Sequence, residues 1–146
     1  MEYFFKSFQE LSVEELYDIL KLRNQIFIIE QECIYQDCDG KDKESIHLFI
    51  KDEEKLLAYL RIPFKGVTYK DISIGRVVVD PRYRNRGLAR KLLVKAIDYI
   101  KDILKEDKIV ISAQLYLKSF YESLGFKVMS ETYLEDNIPH IEMHLG

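Results

Sequence analysis

The chain has no tryptophan, only two cysteines and no long apolar run. Charged or polar side chains interrupt its apolar stretches within a few residues, far short of the roughly 20 residues that a membrane-spanning helix needs. The segment from Met1 to Lys6 also lacks the basic and then apolar order of a signal peptide. We therefore expect no membrane association, and the cytoplasm is the expected compartment.

The two cysteines, Cys33 and Cys38, lie in one polar segment and do not make the multi-cysteine framework of a secreted scaffold. We expect both to be reduced thiols. A zinc site that joined them to His47 would lack a fourth ligand, and the acidic run from 37 to 42 does not have the spacing of a calcium loop. The sequence thus predicts no bound metal.

Charges of both signs are scattered through the chain, with a formal net charge of −3. Because no basic face is concentrated, we expect no nucleic-acid partner. A length of 146 residues and a hydrophobic content of 47% suit one packed core. No linker, repeat or low-complexity segment divides the sequence, which predicts a single domain over residues 1–146.

The spacing of apolar residues predicts an alternation of strands and helices. A capping box at Ser12 to Glu15 marks the start of the first helix. The β-branched run that ends at Asp80-Pro81 favours a central strand covered on both faces. The predicted strands are Glu2–Gln9, Ile46–Lys51, Lys55–Pro63, Ile72–Val79, Ile109–Ile111, Phe126–Met129 and Ile138–Leu145, and the predicted helices run from Ser12 to about Phe27, Gly87 to Leu104 and Tyr116 to Leu124.

This order of elements predicts an α+β fold, in which a mixed layer of strands is flanked by helices. The polar segment from Glu30 to Glu44 carries turn chemistry at Asp37 to Gly40. Loops of this length often carry function, so we expect this one beside the active site.

The turn Arg84-Asn85-Arg86-Gly87-Leu88-Ala89 stands between the central strand and an amphipathic helix. A helix start exposes unpaired N–H groups and the positive end of the macrodipole, which together bind phosphate. Gly87 permits close backbone approach, Ala89 leaves room, and the arginines, with Arg82, add charge-assisted donors. The alternative is a solvated basic turn. A lysine-type phosphate loop is excluded, because no Gly-Lys-Ser or Gly-Lys-Thr follows.

The same turn fits the R/Q-x-x-G-x-G/A signature of the GNAT superfamily of acyl-CoA N-acyltransferases, which the chain resembles. Four further segments, in the right order over nearly the whole chain, are similar to the ElaA-type branch: Arg23–Gln31, Tyr35–Gly40, Ser119–Phe126 and Ile138–Ile141. The resemblance implies a splayed, mostly antiparallel sheet flanked by helices. It also implies direct transfer of an acetyl or other acyl group from acyl-CoA to a primary amine, without an acyl-enzyme.

In this resemblance the strands at 77–79 and 109–111 part, and the pantetheine arm of acetyl-CoA lies between them. One backbone N–H of the first strand would stabilise the oxyanion of the tetrahedral intermediate. Gln114 stands where many members carry a shorter asparagine, so its amide is placed differently. The resemblance assigns coenzyme binding to Val77, Val78, Val79, Arg84, Asn85, Arg86, Gly87, Leu88, Ala89, Gln114 and Tyr121.

Acyl transfer to an amine needs a base for the ammonium proton and an acid for the departing thiolate. Tyr121 matches the position of the family's tyrosine acid. The base is less fixed, and the preferred candidates are His140 and Glu30. The sequence leaves three alternatives open for the base: Asp37, Asp39 and His47.

Two other functions stay in competition. Acyl-homoserine-lactone synthases share the broad fold and an Arg-x-x-x-Phe stretch like Arg23 to Phe27, but the missing tryptophan and the short chain disfavour them. A sensor that binds acyl-CoA without catalysis would keep the basic turn and lack a placed base. The expected partners are acyl-CoA and an amine acceptor, and the sequence leaves open whether the chain forms a homodimer.

Overall fold

Nine strands and three α-helices build the structure, a computed structural model that describes residues 1–146. In chain order the strands are β1 (Glu2–Ser7), β2 (Ser45–Asp52), β3 (Lys55–Pro63), β4 (Ile72–Ser73), β5 (Gly75–Val79), β6 (Ile109–Gln114), β7 (Lys127–Val128), β8 (Tyr133–Glu135) and β9 (Ile138–Leu145). The helices are α1 (Val13–Arg23), α2 (Leu88–Asp102) and α3 (Lys118–Glu122), and a π-helical segment, Asn24–Glu30, continues α1. None of the helices is long and apolar enough to cross a bilayer.

The strands form two sheets. The first has the order β1-β2-β3-β5 and is antiparallel throughout. The second has the order β4-β6-β9-β7, β8 also pairs with β9, and only the β4–β6 pair is parallel. The predicted α+β class, with a splayed and mostly antiparallel arrangement flanked by helices, is confirmed.

The prediction of one continuous central strand over Ile72–Val79 is wrong. Its first part pairs with β6, and Ile74 N still donates to Val110 O at 3.3 Å. From Gly75 onward the chain pairs with β3 instead. Arg76, at the change of sheet, has a φ of 52°, a left-handed conformation that bends the strand. β5 is therefore an edge strand, and a gap opens between β5 and β6.

Helix α1 begins at the predicted capping box. Ser12 Oγ accepts a hydrogen bond from Glu15 N at 3.0 Å, and the Glu15 carboxylate accepts one from Ser12 N at 2.8 Å. The regular α-helix ends at Arg23, and the π-helical segment carries the helical path to Glu30, beyond the predicted end at Phe27. The predicted loop therefore starts at the far end of a long helical arm.

Different helices cover the two faces of the first sheet. Because side chains alternate along a strand, Leu48 and Ile50 of β2 face α2, while Phe49 faces α1. Helices α2 and α3 complete the larger core, which also includes the apolar face of the second sheet. The smaller core beneath α1 consists of Ile19, Leu22, Ile26, Phe49, Tyr59 and Val78. The gap between β5 and β6 thus has α1 and its loop on one side and α2 and α3 on the other.

The C-terminal region contains a hairpin that the sequence analysis did not predict. Strands β8 and β9 are joined by Asp136 and Asn137, whose φ angles of 51° and 65° suit a tight two-residue hairpin turn. The predicted strand Phe126–Met129 shortens to β7, and the predicted helix Tyr116–Leu124 becomes a 3₁₀ turn followed by α3. The hairpin places β8 beside His140.

Candidate active site

Helix α2 begins without a capping side chain. Its N-cap, Gly87, has a φ of 72° and no side chain to offer, and the first intrahelical bond runs from Lys91 N to Gly87 O at 3.1 Å. The N–H groups of Leu88, Ala89 and Arg90 are therefore left for another acceptor. At α1, by contrast, Ser12 satisfies a donor of the same kind. The start of α2 has the free donors and the dipole that favour an anion.

Basic side chains surround this helix start. Arg82 pairs with Asp80, with 3.0 Å between Nη2 and Oδ2. Arg84 Nη2 donates to both Glu30 oxygens, at 2.8 and 3.1 Å. The Arg86 guanidinium lies 5.4 Å from the centre of the Tyr83 ring and makes no ion pair. Positive charge therefore remains at the turn after the local pairs are formed.

The free edge of β5 faces the gap. Asp80 N donates to Leu57 O at 2.9 Å, so the backbone at this end of β5 is directed at β3. Since backbone groups alternate between the two edges of a strand, the N–H groups of Val77 and Val79 are directed away from β3. No strand pairs with that edge. An extended molecule with amide groups can form hydrogen bonds there.

Tyr121 lies on α3 with 6% of its surface exposed. Its ring packs edge-to-face against Phe120 and Phe126, with centroid distances of 5.3 and 5.9 Å. Burial, with a smaller effect of Tyr116, raises the pKa of Tyr121 to about 12. The hydroxyl therefore stays protonated at neutral pH and remains a hydrogen-bond donor.

Gln114 ends β6 on the opposite side of the gap from β5. Its Nε2 donates to Gln31 Oε1 at 3.4 Å, so the amide reaches toward the segment that follows α1. The Cα partner of Gln114 on β9 is His140. Gln114 therefore links the helical arm to the strand that carries a candidate base.

His140 is buried, with 7% of its surface exposed. Its Nδ1 lies 2.7 Å from the Ile138 carbonyl oxygen, which only accepts, so Nδ1 carries a proton. In the neutral ring Nε2 then has the lone pair, and it lies 3.4 Å from Glu135 Oε2. Tyr133 stacks on the ring at 6.2 Å. The geometry leaves one basic nitrogen of His140 free of any donor from the protein.

The two preferred base candidates lie at different places. Glu30 ends the π-helical segment, and its carboxylate is bound to Arg84 of the basic turn. His140 instead neighbours Gln114 and Glu135 on the second sheet. Glu30 thus lies at the basic turn before α2. His140 lies on the second sheet, beside Gln114, which contacts the segment after α1.

The aspartates of the predicted loop are held by buried arginines, in a group that we name the ionic cluster. Arg23 is fully buried, and its Nε and Nη1 lie 2.9 and 2.7 Å from carboxylate oxygens of Asp37 and Asp42. Arg61 lies 2.6 Å from Asp39 and 2.9 Å from Asp42. The cluster consists of Arg23, Arg61, Arg76, Asp37, Asp39 and Asp42.

Arg76 connects the ionic cluster to β5. Its Nε lies 2.8 Å from Asp37 Oδ1, and its guanidinium lies 5.6 Å from the centre of the Tyr35 ring. Burial alone would raise the pKa of Asp39, but hydrogen bonds and charge from Arg61, with Arg76, hold it well below its usual range. Arginine side chains therefore occupy the carboxylates of both Asp37 and Asp39, which argues against either as the base.

His47, the remaining alternative for the base, is fully buried beside the cluster. Its Nε2 donates to Asp42 O at 2.8 Å, and its Nδ1 accepts from the Tyr59 hydroxyl at 2.7 Å. Burial lowers the pKa of His47 despite the neighbouring Asp42. Both nitrogens are used within the protein, so this histidine has a structural role.

Sequence reasoning missed the contacts that join the segment after α1 to the second sheet. Cys33 Sγ donates to Asp136 O at 3.3 Å, and Gln31 accepts from Gln114. Glu135 was also missed, because β8 was not recognised. Asp136-Asn137 between two short runs was the available signal, since such pairs favour two-residue hairpin turns.

Known proteins are similar to this chain in sequence and in fold. Residues 11–146 match the family model for the acetyltransferase (GNAT) domain. A UPF0039 protein of Schizosaccharomyces pombe is 44% identical over 99% of this chain and 97% of its own. A crystal structure of an acyl-CoA N-acyltransferase from Pseudomonas aeruginosa superposes with a TM-score of 0.94 at 35% identity, covering 99% of both chains.

ElaA of Escherichia coli is similar by both measures. Its sequence is 37% identical over 92% of this chain and 89% of its own length. Its crystal structure superposes with a TM-score of 0.91 at 34% identity, covering 100% of both chains. With the open β5 edge and the uncapped start of α2, these matches establish that the chain belongs to the GNAT acyltransferase family, in the branch that includes ElaA.

Proposed function

We propose that the protein transfers an acetyl or other acyl group from acyl-CoA directly to a primary amine. The observation that carries the proposal is the uncapped, arginine-flanked start of α2 directly after the open edge of β5. A phosphate group suits the first feature, and an amide-containing arm suits the second. The two together match the shape of acyl-CoA, whose pyrophosphate and pantetheine follow one another.

In this proposal the pyrophosphate accepts hydrogen bonds from the first N–H groups of α2, between Leu88 and Arg90. Arg84 and Arg86 add charge-assisted donors, and the left-handed Asn85 and Gly87 shape the turn. The pantetheine arm pairs with the edge from Val77 to Val79. One N–H of that edge then faces the thioester carbonyl and stabilises its developing negative charge.

The reacting groups are proposed to be His140 on β9 and Tyr121 on α3. An amine with a pKa near 10 is protonated at neutral pH, and His140 Nε2 can accept its proton. The neutral amine attacks the thioester carbon, and the carbon–sulfur bond breaks. Tyr121, which burial keeps protonated, supplies a proton to the departing sulfur. Glu30, bound to Arg84, is assigned to positioning that arginine.

The proposal is tested by measuring coenzyme A release from acetyl-CoA with a panel of primary amines. Tyr121→Phe should lower kcat by at least about a hundredfold and leave acetyl-CoA affinity unchanged, since the ring keeps its packing. Tyr116→Phe is the matched control, because that neighbouring tyrosine is 76% exposed. Tight acetyl-CoA binding without turnover of any amine would refute the enzyme proposal and favour a sensor.

A further inference from the structure

When the His140 ring is neutral, as a base must be before it takes a proton, no hydrogen-bond donor lies between His140 and Glu135. His140 Nδ1 uses its proton on the Ile138 carbonyl, so Nε2 of the neutral ring only accepts. Glu135 Oε2, 3.4 Å away, also only accepts as a carboxylate. Two acceptors at this distance repel each other unless a proton or a cationic N–H group lies between them.

Neighbouring side chains do not supply that donor. The Tyr133 hydroxyl is hydrogen-bonded to Ser112 Oγ, and Gln114 Nε2 is directed at Gln31. Glu135 makes no ion pair with lysine or arginine, and its only charged contact is His140. No lysine or arginine therefore compensates the charge of this carboxylate, which is accessible to a cationic ligand.

The two members of the pair differ in exposure to solvent. The Glu135 side chain is 52% exposed, while the His140 side chain is only 8% exposed. His140 is the cross-strand partner of Gln114, and side chains in that relation lie about 5 Å apart. Gln114 in turn ends the strand that borders the gap. The pair therefore joins an exposed carboxylate to a histidine that neighbours the strand bordering the gap.

We propose that Glu135 and His140 form the binding site for the reacting primary ammonium group of the acceptor, an inference that rests on the proposed acyl transfer. The ammonium group lies beside the pair and donates one N–H to each of the two acceptors, and Glu135 compensates the positive charge. One ammonium proton passes to His140 Nε2, which becomes an imidazolium paired with Glu135. As the C–N bond forms and the C–S bond breaks, Tyr121 gives its proton to sulfur. The second amine proton passes to solvent, the Tyr121 phenolate takes a proton back from solvent, and the His140 imidazolium releases its proton, so that one proton is set free in each turnover.

The site is tested by direct binding of n-butylamine, with the imidazole ¹⁵N signals of His140 as the reporter. In the unmodified protein, n-butylamine should shift the Nε2 signal in a saturable manner, whereas uncharged n-butanol should not. Glu135→Gln should weaken n-butylamine binding at least tenfold, because the compensating charge is lost. Glu131→Gln, which removes an exposed carboxylate from the segment before β8, should leave binding unchanged.

The binding measurement separates this inference from the proposed function. Saturable binding that depends on Glu135 supports the site even if no amine is acylated, an outcome that would refute only the proposed function. Turnover of amines with an unchanged amine KM in Glu135→Gln would overturn the site and leave the proposed function standing. An unshifted His140 signal, or equal losses in Glu131→Gln and Glu135→Gln, would also overturn the site. Unchanged thermal unfolding of Glu135→Gln excludes a folding defect as the cause.

Discussion

Two sets of three arginines in this protein are used in opposite ways. In the buried set the side chains are 0%, 5% and 22% exposed, and each lies against aspartate. In the set at the start of α2, two side chains are 72% and 40% exposed and the third makes no ion pair. The buried set is Arg23, Arg61 and Arg76, and the exposed set is Arg82, Arg84 and Arg86.

The number of acidic partners explains the difference. Three aspartates neutralise the buried set, because an unpaired charge in the interior costs several kcal/mol. The exposed set meets only Asp80 and Glu30, so positive charge is left over at a helix start that already favours anions. Charge that remains after local pairing, more than the presence of arginine, distinguishes a ligand site from a structural cluster.

Breaking the buried set should have the largest effect. Asp42 is bound by Arg23 and Arg61 at 2.7 and 2.9 Å, so Asp42→Asn leaves two buried cations short of negative charge. We expect a loss of about 3–5 kcal/mol in the free energy of unfolding, measured by urea denaturation. Asp98→Asn, at an exposed position of α2, is the control and should change it by less than about 0.5 kcal/mol. Equal stability of both variants would contradict a structural role for the cluster.

Weakening the exposed set should change binding and not stability. Arg84→Gln removes a cation at the proposed pyrophosphate site, and we expect coenzyme A to bind ten- to thirtyfold more weakly, about 1.4–2 kcal/mol, by calorimetry. Lys101→Gln, in the last turn of α2, makes the same charge change at the wrong end and should have no effect. An equal loss of activity with S-acetylpantetheine, which has no pyrophosphate, would contradict this assignment.

The sequence located the exposed set better than the buried one. The turn from Arg84 to Ala89 is local, so its composition was enough to place these arginines at the start of a helix, as the structure shows; phosphate binding there stays a prediction. The ionic cluster joins residues up to 39 positions apart, from Asp37 to Arg76, and local patterns do not contain such pairing. Its available signal was Arg61 within the otherwise apolar part of β3 that follows Lys55, because a buried charge requires partners.

The fold was likewise predictable where local sequence patterns determine it, and not where tertiary pairing does. Hydrophobic periodicity located α1, the β2–β3 hairpin and α2, where the local pattern agrees with the packing. It did not locate the break between Ile74 and Gly75, since each half of that run is strand-like and only the tertiary pairing separates them. The proposed acceptor side depends on this break and on β8, which explains why Glu135 was missed.

Acid should weaken the buried region through His47. Burial lowers its pKa in the folded protein, so the unfolded chain binds this proton more tightly and stability falls as the pH drops below about 6.5. We expect a loss of at most about 1 kcal/mol in the free energy of unfolding between pH 6.5 and 5.5, which is the limit for one such group, from urea titrations at each pH. His47→Gln keeps a donor for the Asp42 carbonyl and should flatten this slope, whereas His144→Gln should retain it. A slope that persists in His47→Gln would assign the effect to other groups.

The smallest expected effect on stability concerns the ion pair of Glu30 with Arg84, a member of the exposed set. Both side chains are about 40% exposed, and pairs of this kind contribute only about 0.2–1 kcal/mol. Because Glu30 competes with phosphate for the Arg84 guanidinium, Glu30→Gln should tighten coenzyme A binding two- to fivefold and leave the unfolding free energy nearly unchanged.

The same variant decides between the two base candidates. If His140 is the base, kcat of Glu30→Gln should stay within a few fold of that of the unmodified protein, and its pH profile should be the same. Glu32→Gln, at an exposed position two residues along, is the matched control for the loss of one negative charge. A fall in kcat of about a hundredfold or more, without tighter coenzyme binding, would make Glu30 the base. His140 would then retain only the role of holding the ammonium group with Glu135.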